Sequence, residues 1–271
     1  MTRIWLVADD YGLSRGVNGA IRDLLARGRI SATSVMVVAP AFVPEETQAL
    51  AAIEPRPALG LHVTLTAPFK PLTRDYAPLD GGTFGTLGRT AIAAVLGQID
   101  STKVAREVEA QIAAFVTAFG RTPNFIDGHQ HVHLLPRVRG GFLTAVKSLA
   151  PNAWVRQCGR AKEARSFDLK AKLLDLFSDG FQRRASALGV RTNPVFAGAY
   201  AFQPEARYAD LFPQFLSGMR DGGVIMCHPG VVDAALRALD PLTTLREKEY
   251  EYFKGEAYPA LLRQHGVALL P

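Results

Sequence analysis

The stretch Phe125-Ile126-Asp127-Gly128-His129-Gln130-His131-Val132-His133-Leu134-Leu135-Pro136 holds three of the six histidines in the chain, beside an acid and a glycine. In an extended strand, residues i, i+2 and i+4 share one face, so the spacing predicts that His129, His131 and His133 converge. The apolar residues before them read as a buried strand, and Gly128 lets the backbone turn as that strand ends. Such a group at a strand terminus suits a metal or catalytic site. The plainer reading is a polar loop with scattered histidines.

Outward from this stretch, strands and helices alternate. Residues 3–8 form a short apolar run that stops at Asp9-Asp10-Tyr11-Gly12. Ser14 then caps a helical pattern through Val17, Ile21, Leu24 and Leu25, closed by Gly28. Strands follow at 31–39 and 58–66, with a helix at 44–53 between them, and His62 falls near the end of the third strand. The segment 67–89 is dense in Pro, Gly, Asp and Thr, and a loop of that length is usually functional. The apolar spacing over 90–119 predicts one long helix. After the histidines come a helix at 136–149, a strand at 153–158 ending near Arg156, and a helix at 168–188. Strands at 195–202, 223–227 and 266–270 alternate with helices at 205–220 and 243–265. This alternation implies a parallel sheet, and seven or eight units over 271 residues fit an α/β fold of the TIM-like (β/α)-barrel kind, irregular if need be. A doubly wound sheet is the alternative, weakened because no GxGxxG follows the first strand. No repeat or linker divides 1–271, so one barrel domain is expected.

Composition narrows the function. Hydrophobic residues make up 48% and charged residues 21%, ordinary for a globular protein. No apolar run is long enough to span a membrane or serve as a signal peptide, which makes a cytoplasmic protein the default. The net charge of +6 raises nucleic acid, but the basic residues are dispersed and lack interleaved aromatics. Cys158 and Cys227 lack CxxC spacing and read as buried thiols.

Position carries the chemistry. Asp9 and Asp10, His62, His129, Arg156 and His228 all fall at expected strand C-termini, which open on one face of a parallel barrel. Adjacent buried carboxylates are costly without a cation. A metal resolves that, ligated by one acid while the other stays free as a base. Aspartate with two histidines leaves coordination positions for water and substrate. Such a mixed set suits one divalent ion, Zn or Mg foremost, with Mn, Co and Ni compatible.

Four motifs carry a resemblance: Ala8-Asp9-Asp10-Tyr11-Gly12-Leu13-Ser14, Gly60-Leu61-His62-Val63-Thr64-Leu65-Thr66, Asp127-Gly128-His129-Gln130-His131-Val132-His133 and Met226-Cys227-His228-Pro229-Gly230. Together, in this order, they resemble the YdjC-like carbohydrate deacetylases, a family that includes the chitooligosaccharide deacetylases and, more distantly, a hopanoid-associated deacetylase. Residues 160–215 add little. The resemblance implies a barrel hydrolase that removes acetyl groups from N-acetylated sugars or oligosaccharides, with the metal on Asp10, His62 and His129 and with Asp9 as base. It makes His131 and His133 substrate-facing or supporting groups. Tyr11 stands where many relatives carry Phe, its hydroxyl adding a polar contact to substrate.

On this reading His228 protonates the departing amine and Arg156 keeps Asp9 ionised and oriented. A two-metal phosphoesterase and a non-catalytic sugar-binding protein are the rival readings. The expected partner is the sugar, not nucleic acid, and a homodimer stays open.

Overall fold

The computed structural model describes residues 1–77, 79–161, 169–201, 203 and 205–271. Its centre is β1 (Thr2–Tyr11), ten residues of which the last eight are nearly all buried. Burial on both faces is what a parallel sheet covered by helices demands. The strands β2 (Ala32–Val35), β3 (Ala58–Val63), β6 (Phe125–Gly128) and β7 (Trp154–Val155) follow on one side of β1. On the other side stand β9 (Val224–Cys227) and β8 (Phe196–Ala197), and every pairing is parallel. The remaining strands are a small antiparallel hairpin, β4 (Leu79–Asp80) with β5 (Thr83–Phe84), and β10 (Val267–Leu269) beside the first residues of β1.

The seven-stranded sheet curls far enough that isolated parallel bridges, Val155 to Thr192 and Arg160 to Phe196, join its two edges. The expected irregular (β/α) barrel is the observed architecture. Its wall is uneven because β7 and β8 are only two residues long.

The helices in chain order are α1 (Arg15–Ala26), α2 (Pro44–Ala51), α3 (Leu87–Val95), α4 (Ser101–Phe119), α5 (Val138–Leu149), α6 (Leu169–Ala187), α7 (Tyr208–Leu216), α8 (Ala234–Leu239), α9 (Thr244–Lys254) and α10 (Ala257–Gln264). Ser14 caps α1 by accepting from the Val17 amide. The single helix expected over 90–119 is two. Gly97 takes a left-handed φ of +72°, and Asp100 caps α4 by accepting from the Thr102 amide, so the chain stops and restarts between them. The helix expected over 243–265 likewise divides into α9 and α10, and α8 lies between the expected strand at 223–227 and that helix. Asp168 and Phe202, the expected first residue of a helix and last residue of a strand, lie outside the described residues, as does Pro78 in the 67–89 loop.

Register fixes what meets at the barrel mouth. His62 on β3 stands opposite Asp127 on β6. Between β1 and β2 the register shifts after Ala8 and resumes at Tyr11, and inside that irregularity Asp10 carries a φ of +73°. A bulge of this kind re-aims side chains. Here it turns two consecutive carboxylates, which a regular strand would send to opposite faces, into one cavity.

Candidate active site

The cavity at the mouth has a volume of about 440 Å3 and is lined by Asp9, Asp10, His62, His129, His131 and His228, among others. All six come from the C-terminal ends of strands or the turns just after them. Leu87, Met226 and Leu242 supply apolar wall.

Asp10 Oδ1 lies 3.3 Å from His62 Nε2 and 3.1 Å from His129 Nδ1. Its other oxygen accepts from Arg246 Nη2 at 2.6 Å. Arg246 comes from α9 and also pairs with Asp240 at 2.7 Å. Burial works against the Asp10 charge, but Arg246 and His129 outweigh it and hold the carboxyl well below the usual range.

Asp9 faces a different partner. Arg156 grips it with two hydrogen bonds, Nη1 to Oδ2 at 2.6 Å and Nη2 to Oδ1 at 2.7 Å, and Ser34 donates to Oδ1 at 3.1 Å. Arg156 is wholly buried and its Nη2 also lies 2.6 Å from Asp127 Oδ2. Burial raises the Asp9 pKa, yet Arg156 and His62 prevail and bring it down to about 2. Asp127 Oδ1 in turn sits 2.6 Å from His62 Nδ1, which orients the ring and leaves Nε2 for the cavity side.

Two sets of side chains in the described residues bring possible metal-ligand atoms within 4.8 Å of one another: Asp10 with His62 and His129, and Asp9 with His62 and Asp127. In the second set both carboxylates are already bound to the Arg156 guanidinium. The first opens on the cavity and has the mixed oxygen and nitrogen donors of an open catalytic site, with Asp127 as the carboxylate behind a ligating histidine. Charge points the same way. Asp9, Asp10 and Asp127 outnumber Arg156 and Arg246, and this excess overcomes the burial penalty on His62 and lifts its pKa to about 10. A cation where the three ligand atoms meet would take the place of that His62 proton. These residues fit a divalent ion.

Other expected site residues fall elsewhere. The stretch from His129 to Leu134 is a 3-10 turn, not a strand, with left-handed φ of +53° at Gln130 and +57° at His131. The three histidines therefore diverge. His131 reaches the cavity, with Nδ1 3.4 Å from Cys158 Sγ, and burial lowers its pKa to about 3. His133 turns away: it is fully buried between Phe142 and Phe181, with Nε2 2.8 Å from the Arg156 carbonyl. It is a support under Arg156, not a surface for substrate. Tyr11 is also fully buried and away from the cavity; its hydroxyl donates to the Glu46 carbonyl at 2.6 Å and accepts from Arg22 at 2.9 Å. The polar contact expected from it goes to the protein itself.

His228 lines the cavity, and its backbone amide donates to Glu249 Oε2 at 2.6 Å. Burial lowers the His228 pKa below the usual histidine value. Glu249 also accepts from the Tyr200 hydroxyl at 2.7 Å, and burial lifts its pKa to about 7. Arg246, Glu249 and Asp240 come from a region that reads as an ordinary amphipathic helix and its approach. No local pattern marks them: Arg246 meets Asp10 from 236 residues away, and Glu249 meets the His228 amide from 21 residues away.

Comparison with known proteins bears on the family and the fold. The sequence model of the family described as YdjC-like protein matches residues 3–264. A protein named chitooligosaccharide deacetylase from Yersinia pestis bv. Antiqua (strain Angola) is 36% identical over 234 residues, 84% of this chain and 82% of that one. Its namesake from Enterobacter sp. (strain 638) is also 36% identical, over 133 residues that make up 48% of this chain and about half, 50%, of that protein. Among solved structures, an Enterococcus faecalis V583 protein provisionally named for cellobiose-phosphate cleavage superposes with a TM-score of 0.77 at 22% identity, covering 99% of this chain and 97% of its own. At that identity the likeness is one of fold.

Proposed function

The chain belongs to the YdjC-like family, and from that premise we propose that it is a metal-dependent carbohydrate deacetylase, cleaving the acetamide of an N-acetylated amino sugar or oligosaccharide. The observation that carries the proposal is the pairing of an open Asp10–His62–His129 set with a neighbouring carboxylate, Asp9, clamped by a buried arginine. The names of the Yersinia and Enterobacter relatives point to chito-oligosaccharides as the substrate class.

Asp10, His62 and His129 would hold one divalent ion, Zn or Mg foremost. When bound, it supplies Lewis-acid activation of the acetamide carbonyl and of the attacking water. Asp9 takes the water proton. Among the described residues its Oδ2 accepts only from Arg156 Nη1, so a lone pair remains for that proton, and the two-point clamp fixes where the oxygen stands. Arg156 is thus a positioning residue for Asp9. His228 faces the departing amine. Burial keeps its ring neutral at rest, so the proton it gives the amine is the one Asp9 took up, relayed across the cavity. Atoms balance in this scheme: the C–N bond breaks, water adds to the acyl carbon, and its proton ends on nitrogen. His131 offers a neutral polar edge, and Leu87, Met226 and Leu242 offer apolar surface for the acetyl methyl and sugar ring.

The second set, Asp9–His62–Asp127, bears on the two-metal phosphoesterase reading. Arg156 already supplies the cation there, which argues for one ion per chain. No described helix is long and apolar enough to cross a membrane. The test is acetate release from N-acetylated chito-oligosaccharides, before and after chelation and on re-addition of metal. Chelator-sensitive acetate release is expected; metal-dependent phosphate release without it would overturn the proposal.

A further inference from the structure

A second cavity, of about 620 Å3, lies on the outer face of the barrel and shares no residue with the one at the mouth. Four arginines line it: Arg137 and Arg139 at the start of α5, and Arg183 and Arg184 on α6. The rest of its wall is Ser101, two glycines and an alanine, with no acid among them. Some exposed arginines elsewhere are paired, as Arg27 is with Asp23, Arg56 with Glu54, Arg89 with Asp80 and Arg106 with Asp75. Among the described residues none of these four has a carboxylate partner, and Asp179, one turn before Arg183, makes no ion pair with it. Four like charges repel one another, and such a group is stable in one place when an anion joins it.

The backbone is shaped to the same end. A β-carbon at Gly180, inside α6, would meet Arg139 Nη1, so any larger residue there would push the end of the Arg139 side chain aside. A glycine inside a helix costs about 1 kcal/mol against alanine. Gly140 and Gly141 let α5 approach α4 closely: a β-carbon at Gly140 would stand 3.0 Å from Ser101 Oγ, and one at Gly141 would strike the Ser101 carbonyl. This brings the positive ends of two helix dipoles to one side of the arginines. Helix α5 has no side-chain cap, and its cap position is Arg137 itself.

We infer that this cleft is a binding site for a phosphoryl-bearing anion, separate from the deacetylase centre. The planar guanidinium fork matches phosphate oxygens two at a time, and four forks around one cavity suit a diphosphate better than a single small anion. The phosphoryl groups come either from a soluble phosphorylated molecule or from phospholipid headgroups.

The test is calorimetric titration of the full chain with pyrophosphate at physiological salt, beside sedimentation with phosphatidylglycerol vesicles. One saturable pyrophosphate per chain is expected. Its affinity should fall at least about tenfold in the Arg139→Ala/Arg183→Ala variant, as the loss of charge-assisted hydrogen bonds implies. Gly180→Ala, which leaves all four charges but displaces Arg139, should weaken binding as well. The control Arg27→Ala/Arg56→Ala should bind as the parent does, and so should His129→Ala, which separates this cleft from the metal-facing cavity. Vesicle binding that needs Arg139 and Arg183, without pyrophosphate binding, would assign the lipid headgroup as the source. Absence of both, or equal weakening in the control pair, would overturn the inference.

Discussion

On one side of His62 lies Asp10, and on the other lie Asp9 and Asp127, yet the two surroundings differ in kind. The Asp9–Asp127 side is closed by Arg156, a wholly buried cation with a hydrogen bond to Asp9 through each of two nitrogens. The Asp10 side faces the cavity, and Arg246 takes only the oxygen that points away from the histidines. Nearly the same set of acids and histidine thus yields a structural ion pair where the protein provides the cation and a set of donors open to the cavity where it does not. Under the proposed function the difference divides the work: the open side would bind the ion, and the closed side would hold a base in place.

The sharpest way to break this comparison is on the open side. His129→Ala removes a proposed ligand without touching the Arg156 network. Bound metal by elemental analysis should drop to background, and acetate release should fall by more than about 10³-fold, since electrostatic stabilisation is usually the largest catalytic contribution. Metal kept in this variant would move the ligand role to His131.

On the closed side the main effect is on stability. Arg156→Met leaves Asp9 and Asp127 buried without their cation, and breaking such a pair costs about 3–5 kcal/mol. Urea denaturation should show a loss of that order. A loss below about 1 kcal/mol would mean that water, not Arg156, carries the charge.

Asp127 joins the two sides. In Asp127→Asn the amide cannot hold His62 Nδ1–H as a carboxylate does, so metal affinity should weaken by about 10–100-fold although Asp127 is not among the proposed ligands. Unchanged affinity by competition with a chelating dye would cut His62 off from the closed side.

Glu249 gives a smaller effect, read through pH. Its folded pKa is raised from 4.5 to about 7, so the folded state holds a proton that the unfolded chain releases earlier. Its contribution to stability is therefore lost as pH rises from about 4.5 to about 7, and is flat above. Glu249→Gln lacks this loss. Its deficit against the parent should shrink by about 2–3 kcal/mol between pH 5 and pH 8, at about 1.4 kcal/mol per unit. A deficit that does not change with pH would place the titration elsewhere.

The barrel was readable because strand ends carry chemistry and helix starts carry caps. The run before Asp9, the apolar strand around His62 and the Ser14 cap are local signals, and the parallel sheet follows from their alternation. The histidine stretch misled because its spacing of two fits a strand, whereas Gly128 ends the strand and left-handed Gln130 and His131 wind the chain into a 3-10 turn. Asp127 was in plain view, but its role depends on register with β3, which one strand cannot show. Tyr11 could not be placed without Arg22 and Glu46, and Arg246 and Glu249 reach the site only through tertiary folding. Residues at expected strand ends were legible even where their partners are distant in sequence, as Asp9 and Arg156 are; those carried in on helices or defined by register were not.

The central claim is that neighbouring acids divide the work, Asp10 on the ion and Asp9 on the proton. It is tested most directly by measuring metal per chain together with kcat for Asp9→Asn. The amide keeps the shape of the side chain but removes the base. The account predicts one ion per chain, as in the parent, with kcat lowered by roughly 10²–10⁴-fold. Loss of the ion, or near-normal turnover with the ion in place, would contradict it.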